Sequence, residues 1–175
     1  PIEAMNALIV SANLHWKQIY MLQAYSKYLH QIGFNYTQSY ISDALIRNSD
    51  FTRLLIKLFE SKFDSLLKLS LEEREALLSS ISKEIEDKLK KVKDVSDDAV
   101  IRKFYNLIKA TLRTNYYQSA KEGGFKGYVS FKFDSKKVPG LPLPLPHAEI
   151  FVYSTRVEAV HLRGGKVARG GLRWS

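Results

Sequence analysis

Apolar residues recur at spacings of three and four through the first two-thirds of the chain, then switch to alternation. Glu3 to Ala12 and Trp16 to Ile32, rich in Ala, Leu, Tyr and Gln, predict two helices, with Gly33 stopping the second. Thr37 predicts the N-cap of a short helix to about Arg47. Ser49 or Asp50 then caps a helix whose stripe is Phe51, Leu54, Leu55, Leu58, Phe59 and Phe63. Ser70 and Glu73 form a capping-box pattern ahead of a helix with apolar positions Leu77, Leu78, Ile81, Ile85, Leu89 and Val92. That stripe is narrow, so the helix covers something with one face and meets water with the rest. The run from Lys88 to Lys93 looks like a nucleic-acid patch in isolation. Interleaved with Glu84, Glu86, Asp87 and Asp94, it reads as a solvated face with i,i+4 pairs.

Ser96 with Asp97 and Asp98 opens a further helix, acidic residues at its start complementing the helix dipole. Its stripe is Ile101, Phe104, Tyr105, Ile108, Leu112 and Tyr116. After Lys121-Glu-Gly-Gly the period changes. Val129, Phe131 and Phe133 alternate with Tyr128, Ser130 and Lys132, which predicts a half-buried strand. The proline run from Pro139 to Pro146 must be extended, since proline fits neither a helix interior nor an inner strand. Its Pro139-x-x-Pro142 could dock on an aromatic groove, but Leu141, Leu143 and Leu145 favour an ordered connection along the domain surface. Glu149 to Tyr153 and Val157 to Leu162 predict two more short strands. The fold class is α+β: a mainly helical first two-thirds, then a few short strands opening a sheet-containing domain. The expected division is a helical segment over 1–120 and incomplete N-terminal strands of a second domain over 121–175.

Composition narrows the chemistry. The 175 residues include no cysteine, which removes disulfide scaffolds, Cys-ligated zinc, iron–sulfur clusters and thiol nucleophiles, and suits a reducing cytoplasm. The longest apolar runs fall far short of a membrane span. The chain begins at Pro1 with no basic-apolar leader and reads as an excised piece of a longer protein. Charge is uneven: residues 1–112 hold 16 Lys and Arg against 14 Asp and Glu, and residues 113–175 hold 11 against 4. A basic final third invites an anionic partner, unless acidic residues elsewhere in the parent balance it.

Four histidines, His15, His30, His147 and His161, lack metal-ligand spacing, and no metal site is expected. No Ser lies in a nucleophile elbow, and Gly123-Gly-Phe-Lys-Gly127 lacks the length and ending of a phosphate loop. Arg163-Gly-Gly165 and Arg169-Gly-Gly171 stand six residues apart. One reading is an RNA-binding arginine-glycine box, against which stand the neighbouring strand pattern and the apolar Leu172 and Trp174. A second is that paired glycines allow close backbone approach while the arginines offer planar donor forks to a carboxylate or phosphate. A third is a tight turn at Gly170-Gly171 with Arg173 paired to a nearby acid.

The segment Glu149-Ile-Phe-Val-Tyr-Ser-Thr-Arg-Val-Glu-Ala-Val-His-Leu-Arg-Gly-Gly-Lys-Val-Ala-Arg-Gly-Gly-Leu-Arg-Trp-Ser175 closely resembles the large bacterial NAD-specific glutamate dehydrogenases. Phe104 to Gln118, Lys137 to Pro142, the opening Pro1-Ile-Glu-Ala and Trp16 to Ile32 are similar to that family as well. The resemblance implies a helical segment between regulatory modules and a catalytic core, plus the entrance to that core. It implies reversible oxidative deamination of L-glutamate to 2-oxoglutarate and ammonia with NAD, in a cytoplasmic homo-oligomer with no nucleic-acid or membrane partner. Smaller glutamate dehydrogenases carry a Lys-Gly-Gly-x-Arg motif whose Lys contacts the substrate side-chain carboxylate. Arg169-Gly170-Gly171-Leu172-Arg173 resembles it, with Arg in place of Lys, and implies substrate-binding roles for Arg169, Gly170, Gly171 and Arg173. The family's catalytic lysine, catalytic Asp and dinucleotide-binding domain are expected downstream of Ser175. No Gly-x-Gly-x-x-Gly occurs in these residues, and the piece alone is expected to be inactive and not to bind NAD.

Overall fold

The computed structural model describes residues 5–119, 123–124, 126–141, 143–154, 158–163 and 172–174, the last two stretches by backbone alone. Its helices are α1 (Leu8–Ser11), α2 (Trp16–Gln31), α3 (Gln38–Arg47), α4 (Ser49–Phe63), α5 (Leu71–Leu89) and α6 (Val95–Ala110). The strands are β1 (Thr111–Thr114), β2 (Val129–Asp134), β3 (Ala148–Tyr153), β4 (Glu158–Arg163) and β5 (Leu172–Trp174), with a 3-10 turn at Ser135–Lys137. They form one sheet in the order β1-β2-β3-β4-β5, and every neighbouring pair is antiparallel. Helices first and strands afterwards is the α+β architecture expected.

The core lies between the helices and one face of this sheet. Alternation in β2 sends Val129, Phe131 and Phe133 inward, and β3 adds Phe151 and Tyr153. Helix α2 crosses that face, and ten of its residues, from Ile19 to Leu29, are buried. Tyr25 stacks on Phe131 with ring centroids 4.1 Å apart and 10° between planes, and Tyr28 on Phe133 at 4.4 Å and 22°. The Tyr25 hydroxyl is fully buried, and burial pushes its pKa far up. It needs a partner and has one: Thr111 spends its only proton on the Leu107 carbonyl, at 2.7 Å, and so accepts from Tyr25 at 2.8 Å.

Local signals place most boundaries. The Thr37 hydroxyl accepts from the Tyr40 amide, and Ser70 with Glu73 closes the capping box of α5. Gly33 ends α2 at φ +79°. Other expectations need correction. The first helix, expected over 3–12, is the four-residue α1 among the described residues, without a side-chain cap and with the β-branched Ile9 and Val10 exposed. Asn48, not Ser49 or Asp50, stands at the start of α4, and Asp94, not Ser96, caps α6 through the Asp97 amide at 2.9 Å. Leu112 and Tyr116 do not continue the α6 stripe. The helix stops at Ala110, Thr111 turns extended, and Leu112 lies 48% exposed on β1. The sheet therefore begins at Thr111 rather than in the residues after 121.

Two polar anchors fix α6. At its start the Asp97 carboxylate accepts from Arg47 Nη2 at 2.7 Å, Tyr40 Oη at 2.8 Å and Asn48 Nδ2 at 3.0 Å, tying down the α3–α4 corner. These donors, the guanidinium first, hold the carboxyl down at about 2. At its end Lys62 of α4 donates to the Ile108 and Lys109 carbonyls at 3.1 and 2.8 Å, satisfying acceptors that a helix terminus leaves open. Burial, and then the nearby Lys137 charge, push the Lys62 amine down to about 8.

Phe131→Ala should cost about 3–5 kcal/mol in chemical denaturation, as for large aromatic truncations in a packed core. Ile150→Ala, on the opposite face of the sheet, should cost less than half of that. Because folding depresses the Asp97 pKa below its unfolded value near 3.9, its contribution is complete above that value and is lost as pH falls through about 2. Linkage makes this about 2 kcal/mol, and Asp97→Asn should flatten that limb of an acid titration of the denaturation midpoint. Lys62 acts in the same direction in a higher window, by withholding stability below it. Between pH 8 and 10.5 the unfolded chain holds more protons at this site than the native one, so stability should rise with pH. Lys62→Met should remove that rise.

Candidate functional site

The candidate residues Arg169, Gly170 and Gly171 lie outside the described residues. Arg173 stands in the middle of β5, opposite Val160 of β4. The described residues on either side of them are Arg163, the last of β4, and Leu172, the first of β5. Strand β4 ends at Arg163, which pairs with Ala148 at the start of β3, and Ala148 also pairs with Asp134 at the end of β2. Phe133 in turn pairs with Thr111, where α6 becomes β1. These strand ends and the C-terminus of α6 therefore share one end of the sheet.

Cations collect at that end. The Asp134 carboxylate accepts from the Lys136 amide and starts the 3-10 turn, which carries Lys136 and Lys137 close to the end of α6. Lys62 reaches the same place from α4, near enough for the Lys137 charge to lower its pKa. Lys103, whose pKa burial lowers, donates to the Pro139 carbonyl at 2.9 Å and holds the start of the proline run against α6. Among its described residues that run is neither helix nor strand, as expected, but it is not extended throughout, since it turns at Gly140 with φ +83° and bends again at Leu143-Pro144. The arrangement favours an anion at the sheet end. It was not readable from sequence, because Lys62 and Lys137 are brought together only by the packing of α4, α6 and β2.

The opposite sheet end is aromatic. Tyr20 donates to the Tyr153 carbonyl at 3.3 Å, and burial pushes its phenol up to about 12. Tyr116 and Tyr117 meet edge to face at 4.9 Å, with the Lys17 ammonium 4.4 Å from the Tyr116 ring. Burial raises both phenols, and nearby Glu60 raises them further. Such groups stay protonated at neutral pH and supply neither a base nor a nucleophile.

Among the described residues no three His, Asp or Glu side chains gather as a metal site would require. A dinucleotide fits them no better. Its usual seat is a parallel βαβ crossing with a glycine-rich turn, whereas these strands are antiparallel throughout. No described helix is long and apolar enough to cross a membrane.

Comparison with known proteins supplies the context. Bacterial NAD-glutamate dehydrogenase catalytic domains match residues 84–175, and helical motif 3 of glutamate dehydrogenases matches residues 3–65. The NAD-specific glutamate dehydrogenase of Pseudomonas aeruginosa is 47% identical over 173 residues, covering 99% of this chain and 11% of the relative. That of Halomonas elongata is 49% identical over 176 residues (99% and 10%), and that of Mycobacterium tuberculosis 41% identical over 175 (99% and 11%). The chain spans about a tenth of the length of these relatives. With more than half of its residues inside the catalytic-domain match, the chain belongs to the bacterial NAD-glutamate dehydrogenase family.

Proposed function

We propose that this chain is part of an NAD-specific glutamate dehydrogenase that interconverts L-glutamate with 2-oxoglutarate and ammonia. The observation that carries the reading is the catalytic-domain match over 84–175, which includes all four candidate residues. Relatives of the same description, aligned over 99% of the chain, support it further. Nothing in the comparisons supports the RNA-binding module.

In this reading Arg169 holds the substrate's side-chain carboxylate through its guanidinium fork, Gly170 and Gly171 let the backbone pass close to the substrate, and Arg173 adds a second cation. The cationic sheet end formed by Lys62, Lys136 and Lys137 supports it, since an excess of positive charge draws an anionic substrate toward the same end. The helical first two-thirds link a regulatory region to the catalytic core, and the strands from Thr111 onward contribute that core's first sheet. The catalytic lysine and the NAD-binding domain belong to the remainder of the parent, which acts as a cytoplasmic homo-oligomer in glutamate catabolism.

The full-length parent should form NADH from L-glutamate and NAD+, with NADP+ a poor substitute, in a spectrophotometric assay. Arg169→Ala removes a charge-assisted contact of about 1.5–3 kcal/mol and should lower kcat/KM for glutamate about ten- to hundredfold. Unchanged kinetics would demote Arg169 to a residue flanking a turn. The 175-residue chain alone should form no NADH.

A further inference from the structure

Among the described residues, the helices pack on the sheet face that carries Phe131, Phe133 and Phe151. Around the outer strand β1, reaching from Phe63 at the end of α4 to the outward-facing residues of β2 and β3, lies an open trough of about 520 Å³ whose lining includes Leu112, Arg113, Tyr128, Ser130, Lys132 and Ile150. A register shift between Thr111 and Arg113 creates it. Thr111 pairs with Phe133 and Arg113 with Lys132, so Leu112 is the extra residue of a β-bulge. The bulge leaves Leu112 and Arg113 both exposed and pairs Arg113 directly with Lys132 across the two strands, both lining the trough. Asn115 locks this geometry, donating to the Tyr128 carbonyl at 3.2 Å and accepting from the Ser130 amide at 2.7 Å.

Like charges directly opposite across two strands destabilise a sheet. No residue lining the trough is acidic, and among the described residues Arg113 and Lys132 have no ion pair. Beside them the surface is apolar: Leu112 is 48% and Tyr128 40% exposed, with Ile150 half-buried. Two cations next to an apolar strip match an acidic polypeptide carrying an apolar anchor. Small ligands favour enclosed cavities that bury most of their surface, and this trough is open along its length. The relatives are nine to ten times longer than this chain, so most polypeptide able to face the trough lies outside residues 1–175.

We propose that an acidic segment of the full-length chain docks in this trough, its carboxylate between Arg113 and Lys132 and an apolar side chain against Leu112 and Ile150. This rests on the reading of the chain as part of a longer dehydrogenase. The test places a benzophenone amino acid at position 112 of the full-length parent, photolyses it and sequences the cross-linked peptide. The expected product joins Leu112's position to one peptide from outside residues 1–175 that contains Asp or Glu. Lys132→Glu should cut its yield several-fold, and reversing the captured acid to Lys should restore it. No cross-link, one confined to residues 1–175, or a yield indifferent to Lys132→Glu overturns the proposal. So does displacement of the cross-link by millimolar pyrophosphate in an Arg113-dependent way, which would make the trough a small-anion site. Glutamate-dependent NADH formation on the same preparation separates the two ideas. Activity without the cross-link sinks only the docking, and the cross-link without activity sinks only the dehydrogenase.

Discussion

The packing of α2 against β2 is the contact on which the remainder of the molecule depends. Tyr25 and Tyr28 lie flat on Phe131 and Phe133, and offset stacked rings add about 0.5–1.5 kcal/mol per pair beyond the area they bury. The tyrosines belong to the stretch that matches a helical motif, and the phenylalanines to the stretch that matches a catalytic domain. One aromatic layer therefore joins two family segments, and neither has a complete core without the other. The Tyr25–Thr111–Leu107 hydrogen bonds extend this layer into the end of α6. Aromatic packing sets the distance between helix and sheet, and the buried hydroxyls set where along the helix the sheet begins.

What the sequence reveals and what it hides divide along the range of the interactions. The Thr37 cap, the Ser70–Glu73 box, the stop at Gly33 and the alternation of Val129, Phe131 and Phe133 are local, and each appears as read. The start of β1 is not local. Ile108, Leu112 and Tyr116 fall at helical spacing, yet pairing with β2 and the back-bond from Thr111 to Leu107 end the helix before Leu112. Asp97 reads as one of two acids favouring a helix dipole, but it is the hub for Arg47, which lies 50 residues earlier. The candidate substrate residues came from resemblance to a motif, since spacing alone left a turn and an anion site equally open.

The charge excess of the final third has two distinct geometrical expressions. At one end of the sheet, Lys136 and Lys137 join Lys62 of the helical region around the α6 terminus. Along the trough, Arg113 and Lys132 are paired across two strands by a bulge. The first is a field that draws an anion toward an end of the sheet, and the second is a local repulsion that a carboxylate relieves. Counting charges along the sequence cannot separate them, because both depend on register.

The passage from α6 to β1 has a mechanical corollary. Ala110 ends the helix and Thr111 begins the strand, so the two elements share a single peptide bond with no loop between them. Asp97 grips the far end of the helix, and Lys62 and Thr111 grip the near end. Such a connection has no slack. A shift of the α3–α4 corner is carried through about 24 Å of helix to the edge of the sheet, much as a connecting rod carries a stroke.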